Sequence, residues 1–521
     1  MKILLFITLL VYSATLPAAD LKDVGSLNFE NSGSEAAQPH FLRGIGFLHS
    51  FGWKQAIAEF RQAQEIDPDF AMAYWGESLC YNHPLITEQD RQSPTEVLER
   101  LGSTFEERLD KAPTDREKGF ITAVEALFMG SGNTAQRRIA YKDSMQQLYD
   151  QFSTDDEVAI FYALSLLSAA GASGEDRMRM NILAGSIAMR VLQENGNHPG
   201  AAHFVIHAFD DPDHAPLALD SALKFAQIAP AVSHARHMPT HIFIQHGMWK
   251  MVSVSNQSAY DAAVALWEPG DGVGDMVHAL DWGQYGDLQL GDHKRARLWI
   301  ERLEEISAEN GGRSTIALAK IKARYIIETE DWQALDISDK STPASLLAAG
   351  LSAVHLSDIK TAMKVEQILA DKAKTAAGKK KRAYAEGPIP TEIMYKEIAA
   401  LVDLMEGNEA GALKLLSEGV ALTARLPPPR GTANPLKPVH ELYGEVLLKS
   451  GRYDEAVAVF QSSLKRTPNR PRSLLGLART YAQLGDESSA SEQYRKLASI
   501  WKGYDANDLQ EAEQYLQTVQ R

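Results

Sequence analysis

A spacing of 34 residues returns along this chain and limits what it can become. It is clearest near the C-terminus, in Gly444, Leu447, Gly451, Tyr453, Ala456, Phe460, Ser463 and Pro468. It continues at once in Ala478, Tyr481, Gly485, Ala490, Tyr494 and Leu497. The same order appears near the start in Gly44, Phe47, Ala56, Phe60, Ala63 and Pro68. Small residues fall where two helices would touch, aromatics fall between them, and proline falls where the second helix must stop. A helix pair of this size cannot bury its apolar face alone, so each unit must lean on its neighbours. With 45% hydrophobic residues and no strand pattern, the chain is expected to be all-α.

This pattern resembles the tetratricopeptide repeat, a helix pair that stacks into a right-handed superhelical solenoid with a concave groove. Beyond the repeat, the chain resembles a family of exported bacterial tetratricopeptide proteins of poorly defined function. The segments that carry this are Leu48–Phe51, Ala73–Gly76 with Asn82–Pro84, His203–Asp211, His234–Phe243, Lys437–Gly444 and Pro468–Arg470. The organisation read from the sequence is a signal at 1–19, a flexible segment at 20–37 and first units at 38–84. Degenerate helical units follow at 85–197, then His-rich units at 198–304 and further degenerate units at 305–425. A proline-rich extended loop at 426–438 precedes the last units and a polar cap helix at 439–521. The basic run Lys379–Arg382 reads as a solvated face.

The N-terminus begins Met1-Lys2, runs apolar from Ile3 to Leu16 and ends in Pro17-Ala18-Ala19. The run is too short to span a bilayer and fits a cleaved export signal, which implies a periplasmic or secreted protein without membrane insertion after cleavage. A net charge of −15 argues against nucleic-acid partners, since phosphates would be repelled. The single cysteine, Cys80, excludes an internal disulfide and any multi-thiolate zinc site, and reads as a small buried hydrophobe.

Eight of the 15 histidines lie between His198 and His246. His203 and His207 are four apart, as are His237 and His241, and one repeat separates the two pairs. Both pairs occupy positions 5 and 9 of their units, where the next unit holds Asp281 and Tyr285. His234 and His278 share position 2, and Asp210 and Asp211 close the first helix of their unit. The resemblance implies that this stripe lines the groove. His203, His207, His237, His241, His278 and Asp281 are therefore candidate ligands of a transition metal such as zinc, copper or iron. His234, Asp210, Asp211 and Tyr285 are candidate groove or supporting residues, because a ligating imidazole donates its second N–H to a carboxylate or carbonyl. His49 and His83 are further groove candidates.

Other readings stand beside this one. The imidazoles can pack between helices with one hydrogen bond each. The groove can be metal-free and take a peptide, protein or small-molecule ligand. An ion with an open position would instead allow hydrolytic or oxidative chemistry. Pro239 lies inside the second pair, and a helix starting there would leave His234 and His237 on a loop.

Overall fold

The computed structural model describes residues 19–85, 90–173, 177–376, 386–427, 429–504, 506 and 508–519. The signal at 1–19, apart from its last residue, and the basic run at 379–382 lie outside them. Among the described residues the fold is all-α. The one strand pairing is two residues long, Ala19–Asp20 against Ser26–Leu27. The chain divides into two compact units, Met1–Ala208 and Phe209–Arg521.

In the first unit, the helices Gln38–His49, Trp53–Ile66 and Ala71–Leu79 follow the repeat. The reason is steric. A Cβ on Gly44 would lie 2.7 Å from the Phe60 ring, and one on Gly76 would lie 2.4 Å away. Two glycines 32 residues apart thus clamp one aromatic and set how closely three helices approach. Further helices run from Gln92–Leu101 to Arg177–Glu194, and side-chain caps set several of the starts. Thr104, Thr114 and Asn133 each bond the backbone N–H three residues on and are bonded back by Glu107, Glu117 and Gln136.

The segment 20–37 differs from the flexible stretch read in the sequence. Val24 and Leu27 are fully buried and Phe29 is 3% exposed. The Phe29 ring lies 5.1 Å from Phe41 and 5.7 Å from Trp75. Ser32 donates to Glu117 from both its backbone N–H and its hydroxyl, at 2.8 and 2.7 Å. Four spaced apolar residues, Leu21, Val24, Leu27 and Phe29, outweigh the polar composition around them because each finds a place in the core.

In the second unit, helix pairs run from Leu219–Ile228 to Leu509–Val519. Phe460 is clamped by Gly444 and Gly476, where added Cβ atoms would lie 2.8 and 2.2 Å from its ring, and Trp299 lies against Gly283 in the same way. Gly291 and Gly485 end their helices in the left-handed conformation. Asp292, Asn408 and Asp486 cap the next helices.

This unit also closes on itself. Trp249 donates to the Asn469 carbonyl at 3.0 Å, Asn469 to the His246 carbonyl at 2.9 Å and Trp501 to the Gln289 carbonyl at 3.2 Å. These bonds join residues 212 to 223 positions apart in the sequence. Arg470, fully buried, is held by Glu441 and Glu328. Glu441 is also fully buried. From the proline-rich loop, Leu436 is buried and Gly431 lies against Trp282. The terminal helix carries few buried groups. Its Glu511 pairs with Arg479 and its Ala512 is buried, as suits a cap.

Candidate functional site

Of the predicted histidine stripe, His203 and His207 belong to the first unit and His234, His237, His241 and His278 to the second. In the first unit, the helix Pro199–Ala208 carries His203 and His207, whose ring centroids are 4.6 Å apart. His203 donates from Nδ1 to the His49 carbonyl at 2.6 Å, which turns its Nε2 away from the backbone. Phe51, at a backbone φ of 58°, sets its ring 4.5 Å from His203 and 5.9 Å from His207. Trp53 stacks on Phe51 and reaches His83 at 5.4 Å. His83 thus meets this aromatic group, and its carbonyl accepts from Arg138 at 2.9 Å.

His49 does not face a groove. It is fully buried and donates from Nε2 to Glu157 at 2.8 Å. Gly200 makes room for it, since a Cβ there would lie 2.6 Å from the ring. His198 reaches the other oxygen of Glu157 at 3.2 Å, and its Nδ1 accepts from the Ala201 N–H. That acceptance fixes the His198 proton on Nε2, facing the carboxylate. His49, Glu157 and His198 are also close enough for a metal, and without one the carboxylate lies between the two imidazoles. Desolvation alone would raise the pKa of Glu157, and the two imidazoles outweigh it and hold the pKa at about 2.

In the second unit, His237, His241 and His278 converge. Their ligand atoms all lie within 4.8 Å of one another. Pro239 opens the helix Pro239–Gln245, but a separate helical turn, Ser233–His237, precedes it. Met238 between them keeps helical angles of −52° and −36°, so the chain does not leave the helical path and His237 stays beside His241. His241 donates from Nδ1 to Asp210 at 2.8 Å. His237 donates from Nδ1 to the Asn256 side-chain oxygen at 2.7 Å, while the Asn256 amide donates to the Val252 carbonyl. With both Nδ1 protons so placed, the two Nε2 atoms face each other at 3.3 Å. Two imidazole lone pairs at that distance repel unless a positive charge lies between them.

Burial, and then the charges of the neighbouring imidazoles, lowers the pKa of His237 well below the usual value. Burial, followed by His241, lowers His278 to about 4. His237 and His278 are therefore poor homes for a proton near neutral pH. Trp282 shields them, with its ring 4.4 Å from His241 and 5.0 Å from His237. His234 is adjacent, its ring 6.4 Å from His237.

Asp210 meets the histidines through His241. Asp211, Asp281 and Tyr285 do not join the histidines. Asp211 accepts from the Asp213 and His214 N–H groups at 3.0 Å and so holds a turn. Asp281 pairs with Arg324 at 2.5 Å and Lys320 at 3.0 Å, which keeps it ionised and occupies both oxygens. Tyr285 is 1% exposed, with its hydroxyl 3.4 Å from Arg470. Buried cationic partners claim both residues. Cys80 is buried as expected, and its thiol donates to the Gly76 carbonyl.

The sequence reading missed Asn256, Trp282, Gln245 and Lys320. Trp282 lies four residues after His278 on one helix face, which is a usable signal. Asn256 and Lys320 come from other helices and leave no such spacing.

The sequence pattern of the tetratricopeptide repeat matches residues 447–499. No curated protein matches the chain in sequence. Several solved structures align over most of its length. A human IFIT1 dimer with m7Gppp-AAAA is 10% identical with a TM-score of 0.33, over 91% of this chain and 92% of that one. Yeast Tom70 is 11% identical with a TM-score of 0.28, over 94% and 96%. Cut9, from the Cut9–Hcn1 hetero-tetramer of APC/C, is 12% identical with a TM-score of 0.31, over 95% and 78%.

Proposed function

We propose that this tetratricopeptide-repeat protein holds one transition-metal ion on His237, His241 and His278 and presents it to a ligand. The observation that carries this is the pair of Nε2 atoms facing each other at 3.3 Å, each ring's Nδ1 already bound to an oxygen. For an ion about 2.05 Å from each nitrogen, tetrahedral geometry places neighbouring nitrogens about 3.3 Å apart. The third imidazole lies within adjusting distance. Asp210 and Asn256 act as the partners that fix the ring orientation and tautomer of ligating histidines.

The donor set is all imidazole, which suits zinc, copper(II) or iron(II) and disfavours soft copper(I). The thiol of Cys80 packs instead among the first-unit helices. Three protein ligands leave a position for a peptide, protein or small-molecule group, so the ion would serve recognition by the repeat scaffold. The apolar run Ile3–Leu16 supports export to the periplasm or outside the cell, where such an ion would be acquired.

Titration of the chelator-stripped protein with cobalt(II) tests this. The expected result is a saturable visible d–d spectrum of low-coordinate nitrogen ligation, lost in His241→Ala. A spectrum of hexa-aqua cobalt alone would overturn the reading.

A further inference from the structure

The charge around the three histidines deepens that reading. A ligating imidazole is neutral, so His237, His241 and His278 would leave a divalent ion with its full charge. Neither nearby carboxylate offsets it by coordination. Asp210 gives one oxygen to His241 at 2.8 Å and the other to Gln245 at 3.4 Å. Asp281 gives one oxygen to Arg324 and the other to Lys320. Arg324 and Lys320 face Asp281, and Lys320 also feels the Glu386 carboxylate, so these groups balance and the ion's own charge has only Asp210 against it.

Lys320 is placed to act with that charge. Asp281 lies three residues after His278 on the helix Gly274–Leu290, so the two share a face with Cβ atoms about 5–6 Å apart. The Lys320 ammonium sits 3.0 Å from Asp281 and 3.3 Å from the Thr432 hydroxyl. An ammonium has three N–H donors, and these contacts use two. Its side chain keeps 14% exposure, in contrast to Arg324 at 1%. Trp282 lowers the local polarity over the imidazoles, which strengthens any charge interaction there.

We propose that the ligand completing this centre is an oxyanion, a carboxylate or phosphate group, bound through one oxygen to the ion and through another to the Lys320 ammonium. The proposal rests on the metal reading above. It excludes a neutral or cationic ligand as the preferred occupant, because such a ligand would leave the buried positive charge uncompensated.

The test uses the full chain loaded with cobalt(II), with cobalt uptake measured separately by equilibrium dialysis. Acetate and inorganic phosphate are titrated while the visible spectrum is followed, and the two arms distinguish a carboxylate source from a phosphate source. Saturable spectral change with at least one of them is expected in the wild type. Lys320→Gln should take up cobalt as the wild type does but bind the anion about 10–100-fold more weakly, the loss expected for one charge-assisted hydrogen bond. Lys320→Arg keeps the charge and should recover most of that affinity. Circular dichroism confirms that each variant is folded, and the wild-type titration stands without either. Equal anion affinity in Lys320→Gln, or no spectral response to either anion in cobalt-loaded wild type, overturns the oxyanion proposal and leaves the metal reading intact. Failure to take up cobalt overturns both.

Discussion

Replacing Asp210 separates a metal site from a histidine cluster that merely packs. Its carboxylate is 3% exposed and accepts the His241 Nδ1–H at 2.8 Å. If His241 ligates through Nε2, that bond fixes the ring's tautomer and raises its basicity. Asp210→Asn keeps an acceptor but removes the charge, and Asp210→Ala removes both. Supporting partners of this kind change metal affinity by about 10–100-fold, or about 1.4–2.7 kcal/mol. Asp210→Asn is expected at the lower end and Asp210→Ala at the upper. Asp211→Asn is the control. Asp211 holds the turn at Asp213 and His214, so its loss should cost stability, at about 1 kcal/mol, with metal affinity within about twofold of wild type. Zinc competition against a chromophoric chelator gives the affinities, and urea unfolding of the metal-free protein gives the stabilities. Wild-type affinity in both Asp210 variants, or equal losses for Asp210→Asn and Asp211→Asn, would refute the reasoning.

In the first unit, Glu157→Gln should destabilise by about 3–5 kcal/mol, because one buried imidazole N–H then faces an amide N–H; a loss below about 1 kcal/mol in urea unfolding would contradict it. The Glu157 pKa is depressed to about 2 from an ordinary 4.5. Its stabilisation should be full above pH 4.5 and fade as pH falls toward 2, so wild type and Glu157→Gln should converge in acid. Glu397 behaves oppositely. It is fully buried with both oxygens outside any hydrogen bond, and desolvation raises its pKa well above the usual value. Folding therefore favours its protonated form, and that contribution is lost as pH rises through the folded pKa. Glu397→Gln should gain melting temperature over wild type at pH 8 and gain little at pH 4; an equal effect at both would contradict this. Gly476→Ala places a Cβ 2.2 Å from the Phe460 ring and should cost about 1–3 kcal/mol. Adding Phe460→Leu should recover part of that loss, with a coupling above about 0.5 kcal/mol in urea unfolding, and strict additivity would count against the clamp.

Local spacing made much of the fold legible. Gly44, Phe60 and Ala63, and their counterparts Gly444, Phe460 and Ser463, could be read because a helix pair imposes its contacts at fixed separations. The pairs His203/His207 and His237/His241 were legible for the same reason, four residues being one helical turn. The repeat numbering also placed His278 near His237, and their rings are 4.3 Å apart. Closure of the second unit on itself was not legible. It brings Arg470 to Tyr285, 185 residues away, and Gln245 to the Pro429 carbonyl, 184 residues away. No local pattern encodes such distances, so Asp281 and Tyr285 read as groove residues when they are buried against Arg324, Lys320 and Arg470. The packing of residues 20–37 escaped for a related reason. Phe29 finds partners at Phe120 and Phe161, which only the folded unit brings near.

The central claim is the ion on His237, His241 and His278, and elemental analysis tests it most directly. Protein purified without chelators is supplied in turn with zinc, copper(II) and iron(II), dialysed and assayed for metal per chain. The account predicts about one equivalent of at least one metal in the wild type. The triple variant His237→Ala, His241→Ala, His278→Ala should hold almost none, with its helical circular dichroism retained. A wild type that holds far less than one equivalent of every metal offered, or a triple variant that binds as much as the wild type, would contradict it.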